Sequence, residues 1–372
     1  MALYKTLVKK VSISPEKKTK QKDYLPKGQL PIIDQGQQLI GGYSDNLHLQ
    51  LSCNLPVIVF GDHTRAVKYV DFPFGAGADG IKVLEPTEGI HPKFLYYATQ
   101  YLVLRLEDRG YARHYQYIEK KELDIPSIPE QKRIVARIEE LFSELDNGVE
   151  TLRKTKQQLA VYRQAVLKDA FSHITEKKTI REMSSVVTSG SRGWAQYYSD
   201  QGAKFVRIGN LTRDRIRIDL SDIQFVDLPD GAEGKRTQLQ PNDVLVSITA
   251  DLGSIGLVPD DIGEAYVNQH IAMIRFNNPV QGELMAWYLR SDYGQKDLLK
   301  NKRGGGKLGL GLDDIRDSRV PVISDTEAAR ILEVIEARLS VCDSIEKTVD
   351  TASKQAAAMR QSILKQAFEG RL

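Results

Sequence analysis

The chain has 372 residues, 52 of them basic and 49 acidic for a net charge of +3, with 41% hydrophobic and 27% charged residues. These values exclude a mainly disordered chain and leave room for two or three domains, but the charge balance is too even to argue for nucleic acid, because only local fields decide that. No run approaches the roughly 18 apolar residues a spanning helix needs and MALYKTLVKK has no apolar signal core, so a cytoplasmic protein is expected, as is fitting for two isolated cysteines, Cys53 and Cys342.

The first 27 residues carry eight lysines against Glu16 and Asp23. From residue 4 to 128 short apolar runs alternate with Gly, Pro and Asp: LPIID from Leu30, LPVIVFGD from Leu55 and DGIKVLEP from Asp79. Such runs are expected to be strands, and PKFLYYATQYLVLRL from Pro92 an amphipathic helix. Pro129 and Glu130 mark a helix start, by preset φ and by the macrodipole. A long charged helix follows, with an apolar seam of Ile134, Ile138, Leu141, Leu145, Leu152, Leu159, Tyr162 and Val166. A seam this narrow, held over several heptads, is that of a coiled coil.

From about residue 177 the order recurs: KFVRIGN, DVLVSITAD, HIAMIRFNN, then the helix GELMAWYLRSD and a second long helix. The second seam runs Ile331, Ile335, Cys342, Ile345, Val349, Ala352, Ala356, Met359 and Ile363. Pairing Glu130 with Glu327 gives one constant offset to Phe171 and Phe368, with 16 of 42 pairs identical. A repeat of this length describes two half-molecules and not a solenoid. The helices repeat closely and the globular parts loosely, as expected for a shared frame that carries two different readers. Polar breaks at Thr155, Asp169, Arg338 and Gln366, with Gly148, would fix the register. Each helix of about 42 residues would span roughly 60 Å. Packed antiparallel, the pair would act as a ruler between two heads. The expected domains are residues 1–128 (first head), 129–173 (central helix), 174–322 (second head) and 323–372 (C-terminal helix).

A catalytic centre is not found. GGGKLG from Gly304 satisfies G-x-G-x-x-G, but it lacks the strand before and helix after that dinucleotide binding needs. It also lacks a P-loop ending. The order Asp230, Glu233, Lys235 is spaced too tightly for a nuclease, and the six histidines form no metal-ligand pattern. The [DN]PP[YF] motif of amino-methyltransferases is missing.

The segment IPSIPEQKRIVARIEELFSELDNGVETL resembles the hallmark of the specificity subunits of Type I restriction-modification enzymes, and DVLVSITADLGSIGLV from Asp243 is similar to a strand and loop of their target-recognition domains. The resemblance covers essentially the whole chain. It implies an α+β fold: two mixed α/β target-recognition domains joined by two long antiparallel coiled-coil helices, with a pseudo-twofold internal repeat. It further implies that each domain reads one half of a bipartite double-stranded DNA site. The chain itself would be non-catalytic and bind no cofactor. Two methyltransferase subunits would bring S-adenosylmethionine chemistry on adenine N6, and motor-nuclease subunits, where present, ATP and magnesium. Two departures stand out. The second copy reads TEAARI, with Ala328 and Ala329 for Gln131 and Lys132, so equivalent partner contacts at the two helix starts are not expected. The first domain has VFGDHTRAV where the second has its SITADLGSIG loop.

Base edges are read by Arg or Lys on guanine, Asn or Gln on adenine and acids on cytosine, whereas phosphate contacts only set position. In the second domain the expected DNA contacts are Ser189, Ser191 and Arg192, then Arg207, Asn210 and Arg213, then Thr249 and Asp251, then Arg303 and Lys307. In the first they are Gln35, Gln37, Gln38, Tyr43, His63 and Arg65, then Arg113, His114 and Tyr115, with Lys18, Lys20 and Lys22 in a phosphate clamp. Trp194, Tyr197 and Tyr198 are expected to pack and not to stack on bases. Two other readings fit a chain without a catalytic centre: an independent two-headed DNA-binding regulator, and a coiled-coil scaffold that binds proteins.

Overall fold

The computed structural model describes residues 1–78, 80–107, 110, 112–190, 192–213, 215–228, 236–300 and 309–372. It divides into two units, Met1–Lys154 with Val349–Leu372, and Thr155–Thr348. Four helices carry the argument: α1 (Pro92–Leu104), α2 (Ile128–Phe171), α3 (Gly282–Arg290) and α4 (Asp325–Phe368). Among the described residues no helix is long and apolar enough to cross a membrane.

The apolar runs are strands because their alternate side chains have two surfaces to cover. In the first unit, Val8–Val11, Ile81–Pro86, Val57–Gly61 and Val67–Val70 form one antiparallel sheet in that order. Its inner face meets α1 through Ile58, Phe60, Leu84, Leu95, Ala98 and Leu102. In the second unit, Ser184–Ser189, Ile271–Phe276, Val244–Ser247 and Ile255–Leu257 repeat the order, and α3 covers the sheet with Leu284, Met285 and Tyr288. The hairpin carrying VFGDHTRAV is thus the counterpart of the hairpin carrying SITADLGSIG.

A second sheet in each unit shares three strands. Gly42–Ser44, Leu30–Ile33 and Gly75–Gly77 pair as do Gln224–Val226, Ala203–Val206 and Ala265–Val267, the last contact parallel in both. The fourth strand differs. Lys18–Thr19 adds beside Gly75–Gly77 in the first unit, but Tyr198–Ser199 adds beside Gln224–Val226 in the second. Of the aromatics expected to pack, Trp194 stacks on Phe205 at 5.4 Å and meets Tyr266 edge-on, and Tyr197 packs against this cluster, whereas Tyr198 touches Phe205 but is 44% exposed.

The long helices run antiparallel within each unit. In the first, Val135, Ile138 and Phe142 of α2 share a core with Leu364 and Ala367 of α4, and Asp146 pairs with Arg360. In the second, Arg163 of α2 lies 2.7 Å from Asp343 of α4, and Asp169 lies 3.0 Å from Arg338. Asp146 and Asp343 occupy equivalent repeat positions, as do Arg360 and Arg163. One interhelical ion pair is therefore made twice, and two of the expected polar breaks, Asp169 and Arg338, join each other.

One position per heptad is covered along both helices, Gln131, Ile138, Leu145, Leu152, Leu159 and Val166 on α2 and Ala328, Ile335, Cys342, Val349, Ala356 and Ile363 on α4, and a second stripe is buried only toward the helix ends, at Val135, Phe142, Leu167 and Phe171 and at Leu339, Leu364 and Ala367. The expected seam was wider. Tyr162 is 48% exposed and Met359, at the equivalent repeat position, 55%, while Ile345 is also exposed. All three lie between the buried end stripes, where only the one position per heptad is covered.

Gln131 explains the departure between the two helix starts. It is fully buried, accepting from the backbone N–H of His91 at 2.8 Å and donating to the carbonyls of Gly89 and Pro126 at 3.0 and 2.9 Å. It therefore ties the start of α2 to the start of α1. In the second unit Ala328 stands at that position, and the tie comes from the other side: Gln281, the residue before α3, donates to Ile323 O at 2.9 Å and Asp325 Oδ1 at 2.8 Å. Pro126 and Ile323 are equivalent in the repeat, so the same carbonyl is satisfied by glutamines of opposite origin.

Candidate nucleic-acid interface

In the second unit four loops are tied together. Gly190, of the TSGSR loop, passes so close to the strand end at Val267 that an added Cβ would lie 1.9 Å from Val267 O and 2.4 Å from Asn268 C. Asn268 N donates to Val206 O at 3.1 Å, which anchors the loop that begins at Arg207. His270 Nδ1 lies 2.8 Å from Thr249 Oγ1, binding the NQH segment to the SITAD loop. Thr249 also bridges to Gly309, at the edge of the Gly-rich segment. Ala250 has φ near 60°, a left-handed turn that reverses the SITAD loop.

Several expected readers thus meet in one place, and their roles differ. Arg213 Nη2 is 2.6 Å from Asp251 Oδ1, and Ser254 Oγ donates to Asp251 Oδ2 at 2.7 Å. The Arg213 bond, then that of Ser254, holds the Asp251 carboxyl below its ordinary pKa. One donor engages each carboxylate oxygen, so Asp251 orients Arg213. Asn210, in contrast, does not hold as a base contact. It is only 4% exposed, accepts from Arg207 N at 2.8 Å and donates to Asp219 O and Asp222 O at 2.8 and 3.2 Å. Pinning this turn leaves no amide edge for a base. Arg207 borders a cavity of about 460 Å³ with Asp219, Asp222 and Asn268, and Arg192 is exposed. Ser189 is half-buried at the end of its strand, opposite Ala272. Ser191, Arg303 and Lys307 lie outside the described residues, as do Asp230, Glu233 and Lys235. Beneath the loops, Arg275 grips Asp243 at 2.8 and 2.6 Å. Burial raises the Asp243 pKa and the Arg275 bonds oppose that rise.

In the first unit the DQGQQ loop is held from below by Lys68. This lysine is 5% exposed, with Nζ donating to Asp34 O at 2.7 Å and lying 3.5 Å from Asp34 Oδ1. Burial lowers its pKa, against the pull of Asp34. Thr64 Oγ1 donates to Gln35 O, joining this loop to the hairpin. Gln37 and Gln38 are exposed, Gln37 donating to Thr64 O at 3.4 Å, whereas the Gln35 side-chain oxygen is buried under Gly80 and is no reader. Arg65, with φ near 61°, and Gln37 line a groove of about 550 Å³ with α1, α2 and α4 of the same unit. His63 is half-buried beside Ala112 O at 3.2 Å, and Tyr43 is half-buried, with its backbone paired to Leu25.

The RHYQY cluster divides. Arg113 is exposed, but His114 and Tyr115 are 1% and 3% exposed. His114 N donates to Asp62 O at 2.8 Å, Tyr115 N to Asp62 Oδ1 at 2.9 Å, and the Tyr115 ring lies against Phe60 beneath Lys10. These two residues build the hairpin base and do not face a ligand. Lys18, Lys20 and Lys22 are exposed, and Lys10, Lys18 and Lys82 line a further cavity of about 270 Å³.

Sequence reading passed over Lys68, Gln269 and His270. The signal for the last two was an Asn-Gln-His run immediately before the apolar strand IAMIRF, where polar residues at a strand start face a loop cluster.

Two units with equivalent sheets and unlike loops, each with a pair of long antiparallel helix segments, define a class of internally duplicated α+β proteins. Residues 10–159 match the family described as the Type I restriction modification DNA specificity domain. The chain is 27% identical over 281 residues to the EcoBI specificity subunit of Escherichia coli, covering 67% of this chain and 58% of that subunit. It is 22% identical to the EcoR124I/EcoR124II specificity subunit of Escherichia coli, over 90% and 87% of the two chains. A solved chain from work on assembly and conformational transition of the type I R-M system superimposes with a TM-score of 0.70 at 14% identity, covering 100% of this chain and 97% of that one. The chain is similar in sequence and in fold to the specificity subunits of Type I restriction enzymes, although it spans under three-fifths of the length of EcoBI's.

Gly190 offers a direct test of the loop cluster. Gly190→Ala should lift the TSGSR loop off Val267, at an overpacking cost of roughly 1–3 kcal/mol. Thermal denaturation should show the loss, and an unchanged melting temperature would show that this loop does not press on Val267.

Proposed function

We propose that the chain is the DNA-sequence-specificity subunit of a Type I restriction-modification complex. Each unit reads one element of a two-part double-stranded DNA target. The long helices space the elements and dock two methyltransferase subunits, to which two motor-nuclease subunits can be added. The chain is non-catalytic in this reading and binds no cofactor of its own, and S-adenosylmethionine, ATP and magnesium belong to its partners. The observation that carries the reading is the duplication: sheets and hairpins recur in both units while the loops above them differ. A frame kept constant under variable loops suits two recognitions of different sequence, since base contacts specify and everything else positions.

The test is methylome sequencing of a host with and without this gene, supplied beside its neighbouring methyltransferase gene. N6-methyladenine at one two-part motif, present only with both genes, is the expected result. An unchanged methylome with both proteins present would sink the proposal and bring forward a regulator or a protein-binding scaffold. Those two are told apart by salt: DNA affinity dominated by phosphate contacts falls steeply as salt rises.

A further inference from the structure

The NQH segment carries a hydrogen-bond arrangement that leaves one defined edge open. His270 Nε2 lies 2.9 Å from Gln269 Nε2, and His270 Nδ1 lies 2.8 Å from Thr249 Oγ1. An amide nitrogen donates and cannot accept, so Gln269 Nε2–H donates to His270 Nε2. The imidazole proton then sits on Nδ1 and is donated to Thr249 Oγ1. Two consequences follow for the outward side. The Gln269 amide keeps its oxygen as an acceptor and its second N–H as a donor. The Thr249 hydroxyl, having accepted from the ring, keeps its own hydrogen to donate.

The support for these groups is rigid. His270 N donates to Asn268 Oδ1 at 3.1 Å, and Ile248 N donates to His270 O at 3.0 Å, so the two loops are tied by backbone as well as side chain. Gln269, His270 and Thr249 are all half-buried, with part of each still open to solvent. A glutamine held this way loses its choice of amide orientation before any ligand arrives, which removes an ordering cost from binding.

We infer that Gln269 is a specificity-determining residue that reads an adenine in one half-site, with His270 as the positioning residue that fixes its amide. An acceptor beside a donor on one amide is the complement of adenine N6–H and N7 in the major groove. This inference rests on the DNA-reading function proposed above.

The test uses the complete complex in the host, with methylomes compared for the wild-type chain, Gln269→Ala and His270→Ala. Gln269→Ala should make one position, an adenine on one strand of one half-site, degenerate, with discrimination falling roughly fivefold to a hundredfold. His270→Ala should relax the same position, and the other half-site should stay intact in both. A motif unchanged at every position, or a uniform loss of methylation with no position singled out, would overturn the inference. A wild-type complex that gives no two-part motif would instead defeat the underlying DNA-reading function, so the two failures are distinct.

Discussion

Deleting one heptad from each long helix, residues 151–157 and 348–354, should shorten the gap in the recognised site by up to about three base pairs and leave the bases read unchanged. A heptad contributes about 10.5 Å of helix, and DNA rises about 3.4 Å per base pair. The deletions are chosen to keep the contacts that hold each head. Removing Leu152 leaves Leu145 and Leu159 one heptad apart, and removing Val349 does the same for Cys342 and Ala356. The ion pairs Asp146 with Arg360 and Arg163 with Asp343 both lie outside the excised segments. Methylome sequencing of the complex carrying the double deletion reads the outcome directly. A shortened gap with the same half-sites supports the helices as a ruler, and an unchanged gap sinks it. Deleting a heptad from one helix alone breaks the antiparallel register and should abolish methylation.

Much of the fold was legible because it is written in periodicity and repetition. LPVIVFGD, DVLVSITAD and HIAMIRFNN are strands because apolar runs of that length bounded by Gly and Asp have few alternatives, and two copies of one pattern support each other. The seam was over-read where periodicity is blind to the number of neighbours. Tyr162, Ile345 and Met359 occupy apolar heptad positions, yet all three are exposed. The candidate site was less legible, for a related reason. A polar residue in a loop has the same letter whether it faces solvent or satisfies the backbone beneath it. Asn210 and His114 belong to the second kind, and Tyr115 is buried as packing, while Arg192, Gln37, Gln38 and Arg113 remain exposed. What sorts them is the demand of buried N–H and carbonyl groups for partners, and that demand arises only once the strands are in place.

The glutamine ties at the helix starts should carry the largest single-residue effect on stability. Gln131→Ala removes three hydrogen bonds made by a fully buried side chain, while Gly89 is exposed and His91 and Pro126 are half-buried, so water can replace part of what is lost. With each bond worth about 0.5–1.5 kcal/mol net, a loss of about 2–4 kcal/mol is expected. It should appear as early melting of the first unit in calorimetry. Gln281→Ala should destabilise the second unit by a smaller amount, since it makes two such bonds and Asn278 also donates to Asp325 at 2.7 Å. The decisive variant is the exchange: Gln281→Ala combined with Ala328→Gln places the donor where the first unit has it. Because Ala328 and Gln131 occupy equivalent positions, and Ile323 offers the carbonyl that Pro126 offers, the exchange should recover part of the lost stability. If Gln281→Ala costs nothing, or the exchange is worse than the single change, the ties are incidental. If both results hold, the glutamine in the EQKR helix start serves the protein's own interior, and partner docking falls to the exposed neighbours such as Lys132 and Arg133.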